Sequence, residues 1–218
     1  MQQIIGLLGA KGAGKDTAAS HLVSTCDFIR VAFADKLYRE VAEAFGVTVE
    51  LLGRRDTKES DLAEFSLRNC SDPSFVQCVA EELGTTVTED FLAKPRSPRF
   101  IMQLWGTEYR RKRGVDSYWL DQVAAIMDAD PARSYVVTDV RFPNEALFIK
   151  ARNGMLVRVR RPELELREAV SRAANGTAAH PSETAMLNYP VDAEVQNPEG
   201  SPQALFAGMD ELLNEVPA

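Results

Sequence analysis

The chain has 218 residues, of which 45% are hydrophobic and 26% are charged, a composition typical of a globular protein with one substantial core. Its formal net charge of −7 argues against a general nucleic-acid-binding protein, because phosphate backbones select basic surfaces. An anionic ligand must therefore be held by local groups of lysine and arginine. The three cysteines are too few for a disulfide framework or a zinc site. No signal pattern or membrane-spanning apolar run stands out, so we expect a cytoplasmic protein with no membrane partner.

Residues 9–17 read Gly-Ala-Lys-Gly-Ala-Gly-Lys-Asp-Thr and lie between a short apolar run and a stretch with helical spacing. A strand, a glycine-rich loop and a helix in this order predict a phosphate-binding loop, in which Lys15 reaches the β- and γ-phosphates of a bound triphosphate. The glycines let backbone N–H groups surround a phosphate, and the helix N-terminus adds partial positive charge. The residues expected to bind the nucleotide here are Gly9, Lys11, Gly12, Ala13, Gly14, Lys15, Asp16 and Thr17.

Asp16 occupies the position at which serine or threonine normally meets magnesium in this pattern. A carboxylate there can hold Mg²⁺ directly or through water, because this hard cation prefers oxygen ligands and keeps several waters. The alternative is a first-turn acid of the following helix, with Thr17 on the metal side. We predict that Asp16 lies within one water of the metal and that it is catalytic together with Lys15. ATP and Mg²⁺ are the cofactors that this interpretation requires.

Five short aliphatic or β-branched segments have the pattern of buried strands, and helical periodicity alternates with them, as at 116–127 and from residue 203 onward. The predicted strands are 3–8, 29–33, 135–140, 155–160 and 193–196. Strands that alternate with helices predict a parallel sheet with right-handed crossovers. The sequence therefore predicts an α/β P-loop kinase fold, with a five-stranded, mostly parallel sheet flanked by helices.

About a hundred residues separate the second predicted strand from the third, so we expect a helical insertion there. Helical periodicity at 37–45 and 75–83 supports it, whereas 71–74 and 96–98 have the composition of loops. We predict a single domain over 1–218, with a core at about 1–46 and 114–218 and a substrate-binding lobe at about 47–113. A mobile helical lid at about 161–180 is expected to close over phosphates.

Polar residues stand at the ends of two predicted strands, where ligands bind in open parallel sheets. Asp35 and Lys36 follow the second strand, and the third strand delivers Asp139 and then Arg141 to the same edge. An aspartate in this position is typical of a carboxylate that supports magnesium, and its alternative role is to cap a loop. We predict Asp139 as a second metal residue.

Arginines form three groups in the sequence, at 54–55, 110–113 and 158–161. Fixed guanidinium groups stabilise the charge that develops during phosphoryl transfer, so Arg141 and Arg161 are predicted catalytic residues. For any single arginine, a solvated surface role is the alternative.

Several segments taken together resemble the bacteriophage-type deoxynucleoside monophosphate kinases, within the P-loop nucleoside monophosphate kinase-like group. The segments that carry the resemblance are 14–17, 33–37, 99–108, Arg111, Trp119, 139–145, 180–183, Asn197 and Gly200. The resemblance implies ATP-dependent phosphorylation of a deoxynucleoside 5′-monophosphate. It also implies that Asn197 lines the adenine of ATP through its backbone.

The resemblance further implies a set of residues that bind the acceptor nucleotide. The members of this set are Asp35, Lys36, Arg99, Gln103, Trp105, Arg111 and Asp139. Lys36, Arg99 and Arg111 would hold the acceptor phosphate, and Gln103 and Trp105 would face its base. A core position in the lobe is the alternative for Trp105.

Two other functions stay open from the sequence. A P-loop kinase for another phosphorylated metabolite, of the phosphomevalonate or dephospho-coenzyme A type, shares the loop and the sheet. A nucleotide-binding module would hold ATP without transferring it. The accepted base and the oligomeric state, a homodimer included, are left open, and a viral member would work in the host cytoplasm.

Overall fold

The structure is a computed structural model that describes residues 2–112, 115–175, 185–198 and 201–215. The chain divides into two compact units. The sheet unit contains the residues up to Phe33 and those from Val123 onward, and the helical unit is Ala34–Gln122. The lobe predicted at about 47–113 falls within the helical unit.

The described part of the sheet unit contains a five-stranded sheet in which every neighbouring pair of strands is parallel. Its strands are β1 Ile4–Leu8, β2 Ile29–Val31, β3 Tyr135–Val137, β4 Met155–Arg160 and β5 Ala193–Gln196. The order across the sheet is β2-β3-β1-β4-β5, which makes β1 the central strand. The predicted α/β fold class is confirmed.

The described residues form α-helices, two 3₁₀ turns and a π-helical segment. The α-helices are α1 Lys15–Cys26, α2 Ala34–Phe45, α3 Val49–Gly53, α4 Pro73–Glu82, α5 Glu89–Ala93, α6 Pro98–Gln103, α7 Tyr118–Ala129, α8 Pro143–Ala151, α9 Pro162–Asn175 and α10 Pro202–Glu215. Two 3₁₀ turns lie at Ala63–Phe65 and Leu67–Asn69, and a π-helical segment lies at Leu104–Lys112.

The hydrophobic core of the sheet unit lies around β1, whose five residues are all buried. Helices α1 and α10 pack together beside this core, α10 also contacts β5, and α8 contacts β1 and β4. Leu7, Leu22 and Leu205 are fully buried in the same cluster. Each such side chain contributes about 1.5–3 kcal/mol of burial free energy. A strand buried on both faces reads as a continuous apolar run, which explains why β1 was visible in the sequence.

Two strands end earlier than predicted, β2 at Val31 rather than 33 and β3 at Val137 rather than 140. Beyond β2 a side chain takes the place of a ladder partner, because the backbone N–H of Phe33 donates to Oδ1 of Asp139, at 2.8 Å. This carboxylate joins the segments that follow β2 and β3, while the backbone N–H groups of Thr138 and Val140 still donate to the carbonyl oxygens of Val31 and Leu7.

The loops at 71–74 and 96–98 are shorter than predicted, because helices begin at Pro73 and Pro98. Asp72 accepts hydrogen bonds from two backbone N–H groups at the start of α4, and Ser97 accepts one at the start of α6. Pro73 and Pro98 occupy the first helical position, where the missing N–H group of proline costs nothing. A proline after a capping residue therefore marked a helix start in both places.

Part of the predicted lid, residues 162–175, forms α9. Residues 176–180 of the lid, the landmarks at 180–183 and Gly200 lie outside the described residues. Among the helices that the structure describes, none combines the length and the apolar character needed to cross a bilayer.

Candidate functional site

The glycine-rich loop between β1 and α1 has a backbone that requires glycine. Gly9, Gly12 and Gly14 have φ angles of 134°, 83° and 109°, in a region that other L-residues rarely adopt. A Cβ atom on Gly9 would overlap the carbonyl oxygen of Val159, and one on Gly14 would overlap the side-chain amide of Asn197. Glycine is therefore needed both for the conformation and for close approach to the neighbouring strands.

The loop ends at an uncapped helix start. Gly14 is the N-cap of α1 and has no side chain that could accept from the first N–H groups of the helix. Those N–H groups and the helix dipole favour an anion at this end. The backbone of this loop therefore fits the phosphate chain of a nucleotide, and exposed Asp16 lies in the first turn beside it.

Two predicted catalytic cations contact the carbonyl groups of the loop. The ammonium group of Lys15 donates to the carbonyl oxygens of Gly9 and Ala10, both at 2.8 Å. Nη1 of Arg161 donates to the carbonyl oxygen of Gly12 at 3.4 Å. The structure thus brings Lys15 and Arg161 together at the loop, as a phosphate site requires.

Asn197 contacts the same loop from the end of β5. It is buried, and its Nδ2 donates to the carbonyl oxygen of Ala13 at 2.6 Å. Its backbone N–H donates to the carbonyl oxygen of Arg160 at 2.7 Å. The side chain of Asn197 therefore reaches the phosphate loop, a contact that the sequence did not reveal.

The two predicted residues that follow β3, Asp139 and Arg141, differ in their exposure to solvent. Asp139 is buried, with the Phe33 bond on its carboxylate, whereas the side chain of Arg141 is exposed. Glu145 is only 2% exposed, and its Oε2 accepts from the backbone N–H groups of Arg141 and Phe142 at 2.6 and 3.1 Å. Glu145 thus shapes the turn that carries Arg141. The missed signal was an acid three positions after the helix N-cap.

The described residues do not form a metal site from protein groups alone. Among the described residues, no group of three or more histidine, cysteine, aspartate or glutamate side chains could hold a metal ion. Mg²⁺ usually takes one or two carboxylates together with substrate phosphates and water, so it does not need such a group. The metal role of Asp16 and Asp139 stays a prediction.

The other arginines of the 158–161 group have structural partners. Arg158 donates to the carbonyl oxygens of Met186 and Tyr189, at 3.1 and 2.6 Å. Arg160 forms a multidentate pair with Glu165, whose closest distance is 2.6 Å. Hydrogen bonding from Arg160 lowers the pKa of Glu165. The pair ties the end of β4 to the first turn of α9.

Six of the seven predicted acceptor residues lie in the helical unit, and four of these are charged residues with partly buried side chains. Asp35 and Lys36 are in the first turn of α2, Arg99 is in α6, and Arg111 is near the end of the π-helical segment. Arg99 pairs with Glu59. The side chain of Arg111 is 10% exposed, and its Nη1 lies 3.9 Å from Asp116 Oδ1.

Trp105 lies inside the helical unit. It is 2% exposed, and its ring centroid is 4.5 Å from that of Phe75 and 5.4 Å from that of Tyr109. These contacts favour the core interpretation of Trp105 over a base-facing one. Gln103, half-buried at the end of α6, is the remaining predicted base-facing residue of the pair.

Glu40 is the centre of a polar network that the sequence did not reveal. Its Oε2 accepts from Trp105 Nε1 and Arg110 Nε, both at 2.9 Å, and its Oε1 accepts from the hydroxyl of Tyr118. Burial, reinforced by this hydrogen bond, raises the pKa of Tyr118. The guanidinium of Arg110 also lies 5.2 Å from the Tyr118 ring centroid. Glu40 therefore joins α2 to the π-helical segment, a helix type often found at functional sites.

A parallel α/β sheet with this loop after its first strand is the architecture of P-loop nucleotide-binding proteins, the class to which the P-loop kinases belong. No family model matches the chain. The chain is 32% identical over 160 residues to a protein of Acanthamoeba polyphaga mimivirus named as a deoxynucleotide monophosphate kinase, covering 73% of this chain and 74% of that protein. It is 30% identical over 187 residues to the deoxynucleoside-5′-monophosphate kinase of Escherichia phage T5, covering 70% and 74%. Among solved structures, the shikimate kinase of Aquifex aeolicus aligns over 97% of this chain and 96% of its own, with 12% identity and a TM-score of 0.45.

The two sequence relatives decide the family. The chain belongs to the deoxynucleoside monophosphate kinases, and the resemblance inferred from its motifs is confirmed.

Proposed function

We propose that the chain transfers the γ-phosphoryl group of ATP to a deoxynucleoside 5′-monophosphate, giving the diphosphate and ADP. The observation that carries this proposal is the loop at 9–17, whose left-handed glycines end at the uncapped N-terminus of α1. The named activities of the mimivirus and phage T5 relatives support the choice of acceptor.

In this proposal the sheet unit binds the phosphate chain of ATP. The N–H groups at the start of α1 hold phosphate oxygens, and Lys15 and Arg161 supply positive charge at the loop that both already contact. Bound Mg²⁺, held through Asp16 or Asp139 and the phosphates, would neutralise further charge. Arg141 is well suited to contact the γ-phosphoryl group during transfer, because its side chain is exposed while Glu145 fixes its backbone.

The helical unit is the proposed binding unit for the acceptor nucleotide. Lys36, Arg99 and Arg111 supply cations for its phosphate, and Asp35 and Gln103 supply polar contacts. No general base of high pKa is needed, because the attacking phosphate oxygen is already anionic at neutral pH. Catalysis then comes from alignment and charge neutralisation.

A coupled assay with ATP, Mg²⁺ and a panel of deoxynucleoside monophosphates tests the proposal. Phosphorylation of at least one member of the panel is the expected result. Activity only on phosphomevalonate or dephospho-coenzyme A would select the other kinase class, and ATP binding without turnover would select the binding module. Either of these results rejects the proposal.

Matched variants assign the residues. Lys15→Ala and Arg141→Ala should each lower kcat by orders of magnitude with the fold intact, because both remove charge from the transferred group. Lys94, which is exposed in the helical unit, offers the matched control Lys94→Ala. Near-normal turnover of Lys15→Ala or Arg141→Ala would remove that residue from the mechanism.

Because both sequence relatives are viral proteins, we expect the enzyme to act in the cytoplasm of an infected cell on small-molecule nucleotides. Gel filtration coupled to light scattering would establish whether it works as a monomer or as a homodimer.

A further inference from the structure

The peptide unit between Ala13 and Gly14 lies at the junction of the phosphate loop and α1. Its carbonyl oxygen accepts from Nδ2 of Asn197 at 2.6 Å. Ala13 is fully buried and Asn197 is 9% exposed, so this hydrogen bond lies away from bulk water. An amide that faces a carbonyl oxygen must present its NH₂ group, which fixes the orientation of the Asn197 side chain.

The position of this carbonyl sets the direction of the following N–H group. The carbonyl and the N–H of a planar trans peptide point in opposite directions. With the Ala13 carbonyl held toward Asn197, the Gly14 N–H is directed away from β5. That N–H belongs to the row of donors with which the loop and the start of α1 surround an anion.

The contact between Asn197 and the loop leaves no room for an additional atom at Gly14. A Cβ on Gly14 would overlap Nδ2 of Asn197, so the amide packs directly against the backbone at the N-cap of α1. The backbone N–H of Asn197 is fixed separately, by the carbonyl oxygen of Arg160 at 2.7 Å. Replacing the side chain therefore leaves the backbone pairing of the strand end in place.

We propose that Asn197 is a positioning residue for ATP: its side-chain amide holds the Ala13–Gly14 peptide in the orientation that presents the Gly14 N–H to the phosphates. The inference rests on the proposed function and deepens it, since it gives the side chain of Asn197 a role on the phosphate chain. It differs from the backbone contact with adenine that the resemblance implies.

The test compares Asn197→Leu, which keeps nearly the same shape but cannot donate, with Asn197→Ala. The matched control is Gln196→Leu, because Gln196 is the preceding residue on β5 and its side chain is exposed. Calorimetry with ADP gives the Kd per folded molecule, and thermal unfolding gives Tm. Steady-state assays give KM for ATP, KM for the acceptor and kcat.

Without the amide, the Gly14 N–H is no longer held toward the phosphates. Loss of its one hydrogen bond to a charged group weakens binding by about tenfold to a hundredfold, so both Asn197 variants should raise the Kd for ADP and the KM for ATP by such a factor. The KM for the acceptor should stay within about twofold, and Gln196→Leu should match the wild type. A purely structural role would lower Tm and leave the Kd per folded molecule unchanged. That result overturns the inference.

A measurement on the unmodified protein covers the case in which both variants fail to fold. The side-chain NH₂ signals of Asn197 should show slow hydrogen exchange and should shift when ADP binds. Fast exchange with no shift would overturn the inference as well. Failure of the unmodified protein to bind ADP would instead reject the proposed function, so the two failures are distinguishable.

Discussion

Replacing Glu40 with alanine is expected to destabilise the helical unit strongly. The carboxylate is 10% exposed and accepts hydrogen bonds from Trp105, Arg110 and Tyr118. Glu40→Ala leaves all three donors without this acceptor. The cost depends on how well each donor can find water in its place.

The three donors differ in their access to solvent. Trp105 is 2% exposed, so its unpaired indole N–H carries a desolvation penalty of about 1–3 kcal/mol. The side chain of Arg110 is 29% exposed and can recover water, so its loss is about 1 kcal/mol. Tyr118, half-buried, adds a net hydrogen-bond term of about 0.5–1.5 kcal/mol. Together these give about 2.5–5.5 kcal/mol, within the range for breaking a buried network.

Urea unfolding, monitored by tryptophan fluorescence, measures this cost in the helical unit. The protein has two tryptophans, and both Trp105 and Trp119 belong to the helical unit. Glu40→Gln keeps one acceptor oxygen but removes the charge, so it should cost about 1–2 kcal/mol. Glu43, exposed on the same helix, provides the control Glu43→Ala, which should stay within about 0.5 kcal/mol of the wild type.

A free energy of unfolding for Glu40→Ala within about 1 kcal/mol of the wild type would contradict the expected cost, since a buried indole N–H would then carry no penalty. Equal losses for Glu40→Gln and Glu40→Ala would also refute it, because the retained oxygen would have no value. The network joins the helix of Lys36 to the segment of Arg111. Glu40→Gln should therefore raise the KM for the acceptor more than the KM for ATP.

Three further predictions concern a glycine, a thiol and an ion pair. Gly9→Ala should lower the free energy of unfolding by about 3 kcal/mol or more, because its Cβ meets a backbone oxygen and its φ is 134°. Gly84→Ala, where φ is 60° and the Cβ meets open space, should cost about 1 kcal/mol. Equal costs in urea unfolding would contradict the steric explanation. Burial raises the pKa of Cys70 to about 11, so at pH 8 only about 0.1% of this thiol is thiolate. Because a more basic thiolate is also more nucleophilic, Cys70 should react with a disulfide reagent at least about tenfold more slowly than an ordinary thiol, as peptide mapping of the labelled protein would show. The hydrogen bond from Arg160 lowers the pKa of Glu165, so the pair stabilises the fold above the unfolded-state pKa near 4.5 and loses this contribution as the pH falls through the lower folded-state pKa. The difference in free energy of unfolding between wild type and Glu165→Gln should therefore be constant from about pH 6 to 7 and shrink below about pH 4. A difference that is independent of pH would exclude the pair as its source.

The sequence was sufficient for most of the sheet because its strands are short aliphatic segments, of which β1 and β3 are buried throughout. β4 and β5 were predicted at their observed bounds, and β1 within one residue. β2 and β3 were predicted too long, by two and three residues; beyond β2 the N–H of Phe33 donates to the Asp139 carboxylate and not to a neighbouring strand. A side chain that replaces a ladder bond comes from a distant part of the chain, so periodicity carries no trace of it.

The helical unit was harder to predict because several of its helices are short. α3 and α5 have five residues each, too few for a helical period to show. Their start signals were nevertheless present, since Thr48 and Thr88 accept hydrogen bonds from Leu51 and Phe91. Capping residues would have located these helices where periodicity did not.

The assignment of the arginines shows why a site needs the register of the sheet as well as its strands. Arg158 and Arg160 are two residues apart on β4, so they share a face, and both approach Glu194 of β5, at 3.5 and 3.3 Å. Parallel pairing sets Arg158 beside Glu194, a match that the sequence alone does not give. Arg161 comes after the strand has ended, and its side chain contacts the Gly12 carbonyl of the phosphate loop instead. Arg158 and Arg160 thus pair with the neighbouring strand β5, whereas Arg161 lies at the candidate site. They differ because β4 ends between Arg160 and Arg161.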